Sequence, residues 1–385
     1  MAISISDDFD GGNIEVVTGS GGDWTLAIRP DNMSHYFQWF YFSVEDASGV
    51  DLTLRISNAG QSAYPEGWKD YRALASEDNE NWSRVDTGFN DGVLTIRMKP
   101  TRQKVWFAYF TPYQTGRHEA LIRHFKRNAL VRHSVFGKSL DGSPLDLLTI
   151  GSGPLQIWIY GRQHPGESMA EWWMEGALQA LTESSAAALR SACTIYVAPN
   201  MNPDGTARGH LRTNAVGIDL NREWASPTVE KSPEVFAILN LMEAYGVDFA
   251  LDVHGDESIP HVFIAGADGI PSWTAEMGRI QDRFISCLVD QTADFQPFNG
   301  YPTPEAGQAN LAISTNALGE RFGSLSMTLE MPFKDHSEAP DVINGWSSLR
   351  SERLGAACVS ALVEMVDDLA AYRALNRFEG LIATG

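Results

Sequence analysis

Four short and nearly unbroken apolar runs restrict this chain most, at residues 155–160, 194–198, 247–253 and 326–329. Each is too short for a helix and shows no polar face, as expected of sheet strands covered on both sides. Helical spacing appears after the third run and near the end. Trp273, Met277, Ile280, Phe284 and Leu288 form one set, and Cys358, Leu362, Met365, Val366 and Leu369 the other. Buried strands that alternate with helices predict an α/β domain.

Upstream of Thr111-Pro112-Tyr113 the pattern is different. Residues 50–57 and 94–99 alternate apolar and polar, as half-buried strands do, and the second follows a turn at Asn90-Asp91-Gly92. Aromatic-rich runs at 38–42 and 105–110 suggest strands covered on both faces. Six or so short strands without a clear helix predict a small β-sandwich. The fold class expected is therefore a β-sandwich over residues 1–112 followed by an α/β domain over 113–385. No internal repeat or low-complexity segment interrupts either part.

The length of 385 residues suits two or three domains. A formal net charge of −20 repels phosphates and anionic headgroups, so neither nucleic acid nor a membrane surface is expected as partner. It also weakly disfavours acidic substrates. Cys193, Cys287 and Cys358 lack metal-type spacing, and their odd count points to a reducing compartment. The first residues have neither a basic nor an apolar region of the signal-peptide kind, and no run reaches the roughly 18 apolar residues of a membrane span. A cytoplasmic location is the expectation.

The chemistry-bearing residues cluster at the ends of the apolar runs. After residue 160 comes Gly161-Arg162-Gln163-His164-Pro165-Gly166-Glu167-Ser168, and 168–181 is predicted to form a helix. His164 and Glu167 can converge on one cation across the Pro-Gly turn, and zinc accepts an imidazole with a carboxylate. Alone, the pair reads more readily as a turn histidine and a Glu favoured by a helix N-terminus. His254 ends another apolar run and is followed by Gly255; with it the balance moves towards metal. Asp252 shares its strand face and suits a supporting carboxylate. Arg212, Asn221 and Arg222 lie in a glycine-bearing segment between the two sites, where guanidinium groups can fork onto a carboxylate. An ordinary solvated loop would look the same. Glu330 ends the last apolar run, and a carboxylate there is poorly explained by stability, which makes it a candidate base.

Together these residues resemble the zinc metallocarboxypeptidases, within them the cytosolic-carboxypeptidase-like branch, over about residues 115 to 375. The motifs agree in order: His164-Pro165-Gly166-Glu167, Asn202-Pro203-Asp204-Gly205, Asp219-Leu220-Asn221-Arg222, Asp252-Val253-His254-Gly255 and Thr328-Leu329-Glu330. The β-domain in front also fits that branch. The resemblance implies an α/β/α core with a mixed, largely parallel sheet and one Zn²⁺ per chain held by His164, Glu167 and His254. It implies that Asn221 and Arg222 hold the substrate's terminal carboxylate, that Arg212 polarises the scissile carbonyl, and that Glu330 is general base and then proton donor. The substrate implied is the carboxyl-terminal end of a peptide or protein tail.

Two features depart from the family pattern. Many members cover the substrate with a tyrosine upstream of the catalytic Glu, yet residues 306–314 contain none, and Tyr301, the nearest, is given no role. The eukaryotic branch removes glutamate with basic pocket residues, which extends an acidic preference to this chain, with Arg162, Arg208, Arg321 and Lys334 as candidate lining. The alternatives are an N-acyl-amino-acid deacylase of the aspartoacylase type and a peptide-binding module without turnover. The full Asp-Leu-Asn-Arg run and Glu330 favour the peptidase.

Overall fold

In the computed structural model, which describes residues 3–383 and side chains to residue 375, the amino-terminal part is two stacked five-stranded sheets. Met1 and Ala2, and the last two residues of the expected second domain, lie outside the described residues. The strands are β1 (Ser4–Ser6), β2 (Glu15–Ser20), β3 (Asp23–Ala27), β4 (Tyr41–Glu45), β5 (Leu52–Ile56), β6 (Leu74–Ser76), β7 (Ser83–Arg84), β8 (Asp86–Asn90), β9 (Val93–Met98) and β10 (Lys104–Ala108). One sheet runs β1-β4-β10-β6-β7 and the other β2-β3-β5-β9-β8. Asn90 pairs with Val93 across Asp91-Gly92, both at positive φ, which is the two-residue hairpin that Asp-Gly favours. Among the described residues there are ten strands where the alternation revealed six or so, because β2 is wholly exposed and β6 and β7 are only two or three residues long. The aromatic run at 38–42 enters a strand only at Tyr41.

The second part carries β11 (Val131–Lys138), β12 (Pro144–Gly151), β13 (Leu155–Gly161), β14 (Cys193–Ala198), β15 (Phe249–Asp256), β16 (Phe263–Gly266) and β17 (Leu325–Pro332), in the order β11-β12-β14-β13-β15-β17-β16. The four apolar runs are its parallel centre, β14-β13-β15-β17, while β11, β12 and β16 pair antiparallel at the sides. The helices are α1 (Thr115–Phe125), α2 (Met169–Thr182), α3 (Ala187–Ala192), α4 (Pro203–Arg208), α5 (Pro233–Tyr245), α6 (Ala275–Gln291), α7 (Ser314–Phe322) and α8 (Ser348–Ala383).

Side-chain alternation separates the two faces of the sheet. Ile157 and Ile159 of β13 join the core with α2, α6 and α8, and Trp158 and Tyr160 join the core with α5 and α7. On the first face α2 and α8 meet through glycines. A Cβ on Gly176 would sit 1.9 Å from the Glu352 carbonyl oxygen, and one on Gly355 would sit 2.1 Å from that of Trp173. Trp273 lies outside α6. The Thr274 side chain accepts the Met277 N–H, so α6 begins after the tryptophan.

The two parts are packed together. Tyr109 stacks on Phe333 at 4.5 Å between ring centroids, and the buried Arg84 donates to the carbonyls of Phe333 and Trp346 at 2.7 and 3.1 Å. Their joint surface leads into the cleft described next.

Candidate active site

Parallel register brings the sequence-predicted residues to one end of the sheet. His254 and Glu330 are direct register partners on β15 and β17, and β13 stops at Gly161 beside Val253. The chain then turns at Arg162, which adopts φ +58°, an uncommon state for a residue with a side chain. Its buried guanidinium donates to the carbonyls of Pro165 and Tyr113 and to the Glu171 carboxylate. That brace fixes the turn carrying His164 and Glu167. The Asn-Pro-Asp-Gly segment braces the same turn. Asn202 caps α4 and donates to the Gln163 carbonyl at 2.9 Å, and Asn200 donates to Glu171 at 3.0 Å.

His164, Glu167 and His254 meet with one ligand atom each, all within 4.8 Å of one another and all buried. Glu167 Oε1 lies 2.6 Å from His164 Nδ1, and Oε2 lies 2.8 Å from His254 Nδ1. The two Nδ1 atoms are themselves 3.2 Å apart. The other ring nitrogens are taken by carboxylates, His254 Nε2 by Asp252 at 2.8 Å and His164 Nε2 by Asp219 at 3.1 Å. An imidazole that donates at Nε2 turns the Nδ1 lone pair to the centre. Two imidazole nitrogens and a carboxylate so close suit a shared cation, and this donor set fits zinc. Asp252 is also held by Gln163 at 2.7 Å and by the Ser314 hydroxyl.

The charges respond to this crowding. Burial pushes the Glu167 carboxyl up, but the His164 and His254 imidazoles outweigh it and bring it down to about 2. Burial also opposes ionisation of Asp219, yet His164, Arg212 and Arg222 hold it well below the usual carboxylate range. Glu330 moves the other way. Burial, reinforced by Glu167 and Asp256 and only partly offset by His254, raises its carboxyl well above the ordinary value. Its Oε2 is buried without a hydrogen-bond partner, and its Oε1 accepts from Tyr301 at 3.2 Å.

The remaining predicted residues lie across the cleft on the loop between α4 and α5. Arg212 donates through Nε to Asp219 at 2.8 Å and lies over the rings of Tyr36 and Tyr64 at 5.4 and 5.8 Å. Asn221 accepts the Ser314 N–H at 2.9 Å on Oδ1, its Nδ2 lies 3.4 Å from His254 Nε2, and the residue borders the cleft. Arg222 is exposed and donates to the Asn221 carbonyl at 2.7 Å.

The sequence did not single out the residues that secure this loop. Asp31, from the amino-terminal part, is buried and accepts the N–H groups of Leu211, Arg212 and Thr213 at 2.6, 2.8 and 2.8 Å, and the Thr213 hydroxyl at 3.0 Å. A lone Asp next to a proline in a β-rich segment carries no such mark. Tyr301 was also passed over, and its hydroxyl donates to Asp256 at 2.7 Å as well as meeting Glu330.

All seven predicted site residues border one cleft of about 800 Å³, along with Tyr64, Glu66, Asp256, Glu257, Asp268, Gln281 and Tyr301. Arg162, Arg208, Arg321 and Lys334 are not among its walls. Arg162 is consumed by the turn brace, Arg208 by Asp141, Arg321 by Glu243 and Lys334 by the Lys69 carbonyl. Among the described residues no helix is long and apolar enough to cross a membrane, and the three cysteines are buried and unpaired.

Comparison with known proteins agrees with this geometry. The family described as cytosolic carboxypeptidase N-terminal domain matches residues 5–110, and the family described as zinc carboxypeptidase matches residues 118–260. A protein of Zymomonas mobilis with no stated activity is 51% identical over 372 residues, 96% of this chain and 98% of that protein. Cytosolic carboxypeptidase 6 of Caenorhabditis elegans is 24% identical over 402 residues, 93% of this chain and 86% of its own length. The structure of a metallo-carboxypeptidase from Pseudomonas aeruginosa in complex with (2-guanidinoethylmercapto)succinic acid superposes with a TM-score of 0.93 at 43% identity, covering 95% of this chain and all of that one, 100%. A mixed sheet with histidine and glutamate at its strand ends and arginines on the facing loop, behind an amino-terminal pair of sheets, thus has close kin: the chain belongs to the zinc carboxypeptidase family and is a metallocarboxypeptidase, a hydrolase of peptide bonds.

Proposed function

We propose that the enzyme removes the carboxyl-terminal residue from peptides or protein tails, with one zinc held by His164, Glu167 and His254. The convergence of those three side chains beside Glu330 is the observation that carries this reading. Bound there, zinc would supply Lewis acidity and a water acidified towards pKa about 7. Glu330 receives the proton of the attacking water on its unpartnered oxygen and returns it to the leaving amine. Arg212, kept in place by Asp219 and two aromatic rings, stabilises the developing oxyanion. The Asn221 amide and the Arg222 guanidinium supply several donors to a free terminal carboxylate. Tyr301, hydrogen-bonded to Glu330, limits where that carboxyl can point. A division near residue 112 separates the sheets that brace from the sheet that bears the metal. A cytoplasmic setting, peptide ends as the partners, and no nucleic acid or membrane complete the proposal.

The ligand of the Pseudomonas relative, a succinic acid with a guanidino group, carries carboxylates and a cation in one molecule. Carboxylate capture by Asn221 and Arg222 is consistent with it. The test compares peptides with free and amidated carboxyl termini. The free acid should be the better substrate by at least about tenfold, the lower end for a hydrogen bond to a charged group. Arg222→Ala should remove most of that preference, and Arg222→Lys should restore part of it. Equal cleavage of both peptides, or cleavage of acyl amino acids alone, would refute the exopeptidase reading.

A further inference from the structure

We infer that His118, on α1, is a positioning residue for the metal: held between Asp146 and Glu171, it sets the Glu171 carboxylate that steadies the peptide groups on either side of His164. The inference rests on the zinc site proposed above and concerns how that site keeps its shape.

His254 and Glu330 are placed by strand register, whereas His164 and Glu167 lie on a turn past the end of the β13 ladder. Two arms reach that turn from one oxygen of Glu171, which is buried in the first turn of α2. Arg162 donates to Oε2 and, through its own Nε, to the Pro165 carbonyl at 2.8 Å. Asn200 donates to the same oxygen at 3.0 Å and accepts the Asn202 N–H at 2.8 Å. Asn202 in turn donates to the Gln163 carbonyl at 2.9 Å. The arms therefore end on the carbonyls of residues 163 and 165, one before His164 and one after. Glu171 serves both only while Oε2 points at them. Among the described residues its other oxygen, Oε1, has one hydrogen-bond partner, His118 Nδ1 at 2.7 Å.

His118 is itself held from the far side. Its Nε2 lies 3.2 Å from Asp146 on β12, and the other oxygen of Asp146 meets His133 of β11 at 2.6 Å. Both nitrogens of His118 face carboxylate oxygens, which accept, so the ring holds both protons. Burial opposes that charge, but the hydrogen bonds to Asp146 and Glu171 outweigh it and push the imidazole up to about 9. The row His133, Asp146, His118, Glu171 and Arg162 thus runs from the edge of the sheet to the metal turn. Such a row of largely buried charges is a poor route to stability, since desolvation offsets most of the pairing. What it supplies is direction. A hydrogen bond at each nitrogen fixes the plane of the His118 ring, and with it the Glu171 carboxylate.

The experiment measures zinc release to excess chelator and the visible spectrum of the cobalt(II)-loaded protein, which reports ligand geometry. His118→Asn can place an amide N–H where Nδ1 stands, towards Glu171, and His118→Gln can place one where Nε2 stands, towards Asp146. His118→Gln should release zinc at least about tenfold faster than the natural chain, the lower end for groups that orient metal ligands, and its cobalt band should shift. His118→Ala should do the same. His118→Asn, which keeps the bond to Glu171, should stay within about threefold of the natural chain. Equal release from His118→Asn and His118→Gln, natural release from His118→Gln, or failure of both His118→Gln and His118→Ala to fold would make His118 a support of the fold and overturn the inference. Each of these outcomes leaves the zinc site standing. A natural chain that binds no zinc, or a His254→Ala variant that loses none, refutes that site and the inference with it.

Discussion

The two sides of the cleft are built by different means. On one side His254 and Glu330 stand on neighbouring parallel strands in direct register, and His164 and Glu167 follow a third strand through a turn braced by Arg162. On the other side Arg212, Asn221 and Arg222 ride on a long connection with little regular structure, held by Asp219 below and by Asp31 from the amino-terminal sheets. A sheet sets positions through backbone pairing that no single side chain controls. A loop needs individual hydrogen bonds to do the same, and here several come from the other domain. The sheet side should therefore fail at the residue that does the chemistry, whereas the loop side should also fail at residues that never meet substrate.

The largest effect is expected on the sheet side. Glu330→Gln keeps volume and strand pairing but removes the proposed base, and kcat should fall by at least about 100-fold with metal content unchanged. His164→Ala or His254→Ala should strip most of the metal, read by elemental analysis. Each leaves two ligands where the family's chemistry needs three. Near-normal turnover by Glu330→Gln, or full metal content in both histidine variants, would end this account of the sheet side.

The loop side gives a smaller and more diagnostic effect. Asp31→Asn loses the charge that collects three N–H groups and a hydroxyl, so the loop should shift and Arg212 with it. An expected loss is about tenfold in kcat/KM, roughly 1.4 kcal/mol. Because the effect runs through Arg212, adding Asp31→Asn to Arg212→Ala should cost little more than Arg212→Ala alone. Additive losses would show that Asp31 merely supports the fold.

This contrast also explains what could be seen in the sequence. The four central strands announced themselves because burial on both faces leaves unbroken apolar runs, and their ends pointed to His164, His254 and Glu330. Edge strands such as β11, exposed along much of its length, leave no such trace. Helices α5 and α7 were passed over since α5 is apolar nearly all round and α7 spans only nine residues. Asp31 and Tyr301 act across separations of some 180 and 29 residues, and one-dimensional spacing does not record such contacts. The resemblance to the glutamate-removing branch suggested a basic pocket. The engagement of Arg162, Arg208, Arg321 and Lys334 elsewhere depends on tertiary partners that the sequence pattern did not reveal.

The smallest effect on turnover is expected where neither side is touched, and Glu234 offers that control. It sits in the first turn of α5, fully buried, with neither carboxyl oxygen hydrogen-bonded. Burial, with Asp204 and Asp141 adding to it, raises its carboxyl from an ordinary 4.5 to about 7. A folded-state value above the unfolded one means the fold binds the proton more tightly. The associated stability is complete below the unfolded value and drains away as pH rises through about 7. Glu234→Gln keeps the shape and cannot ionise, so its stability should hold where the natural chain weakens. Urea denaturation at pH 5 and pH 8.5 should show the variant gaining on the natural chain by up to about 3 kcal/mol between the two. Its kcat/KM at pH 7 should match the natural enzyme within about twofold, since no atom of Glu234 borders the cleft. A stability difference independent of pH would mean that Glu234 is already ionised in the fold. A large loss of activity would mean that α5 communicates with the loop side, which would then extend further than Asp31 and Asp219.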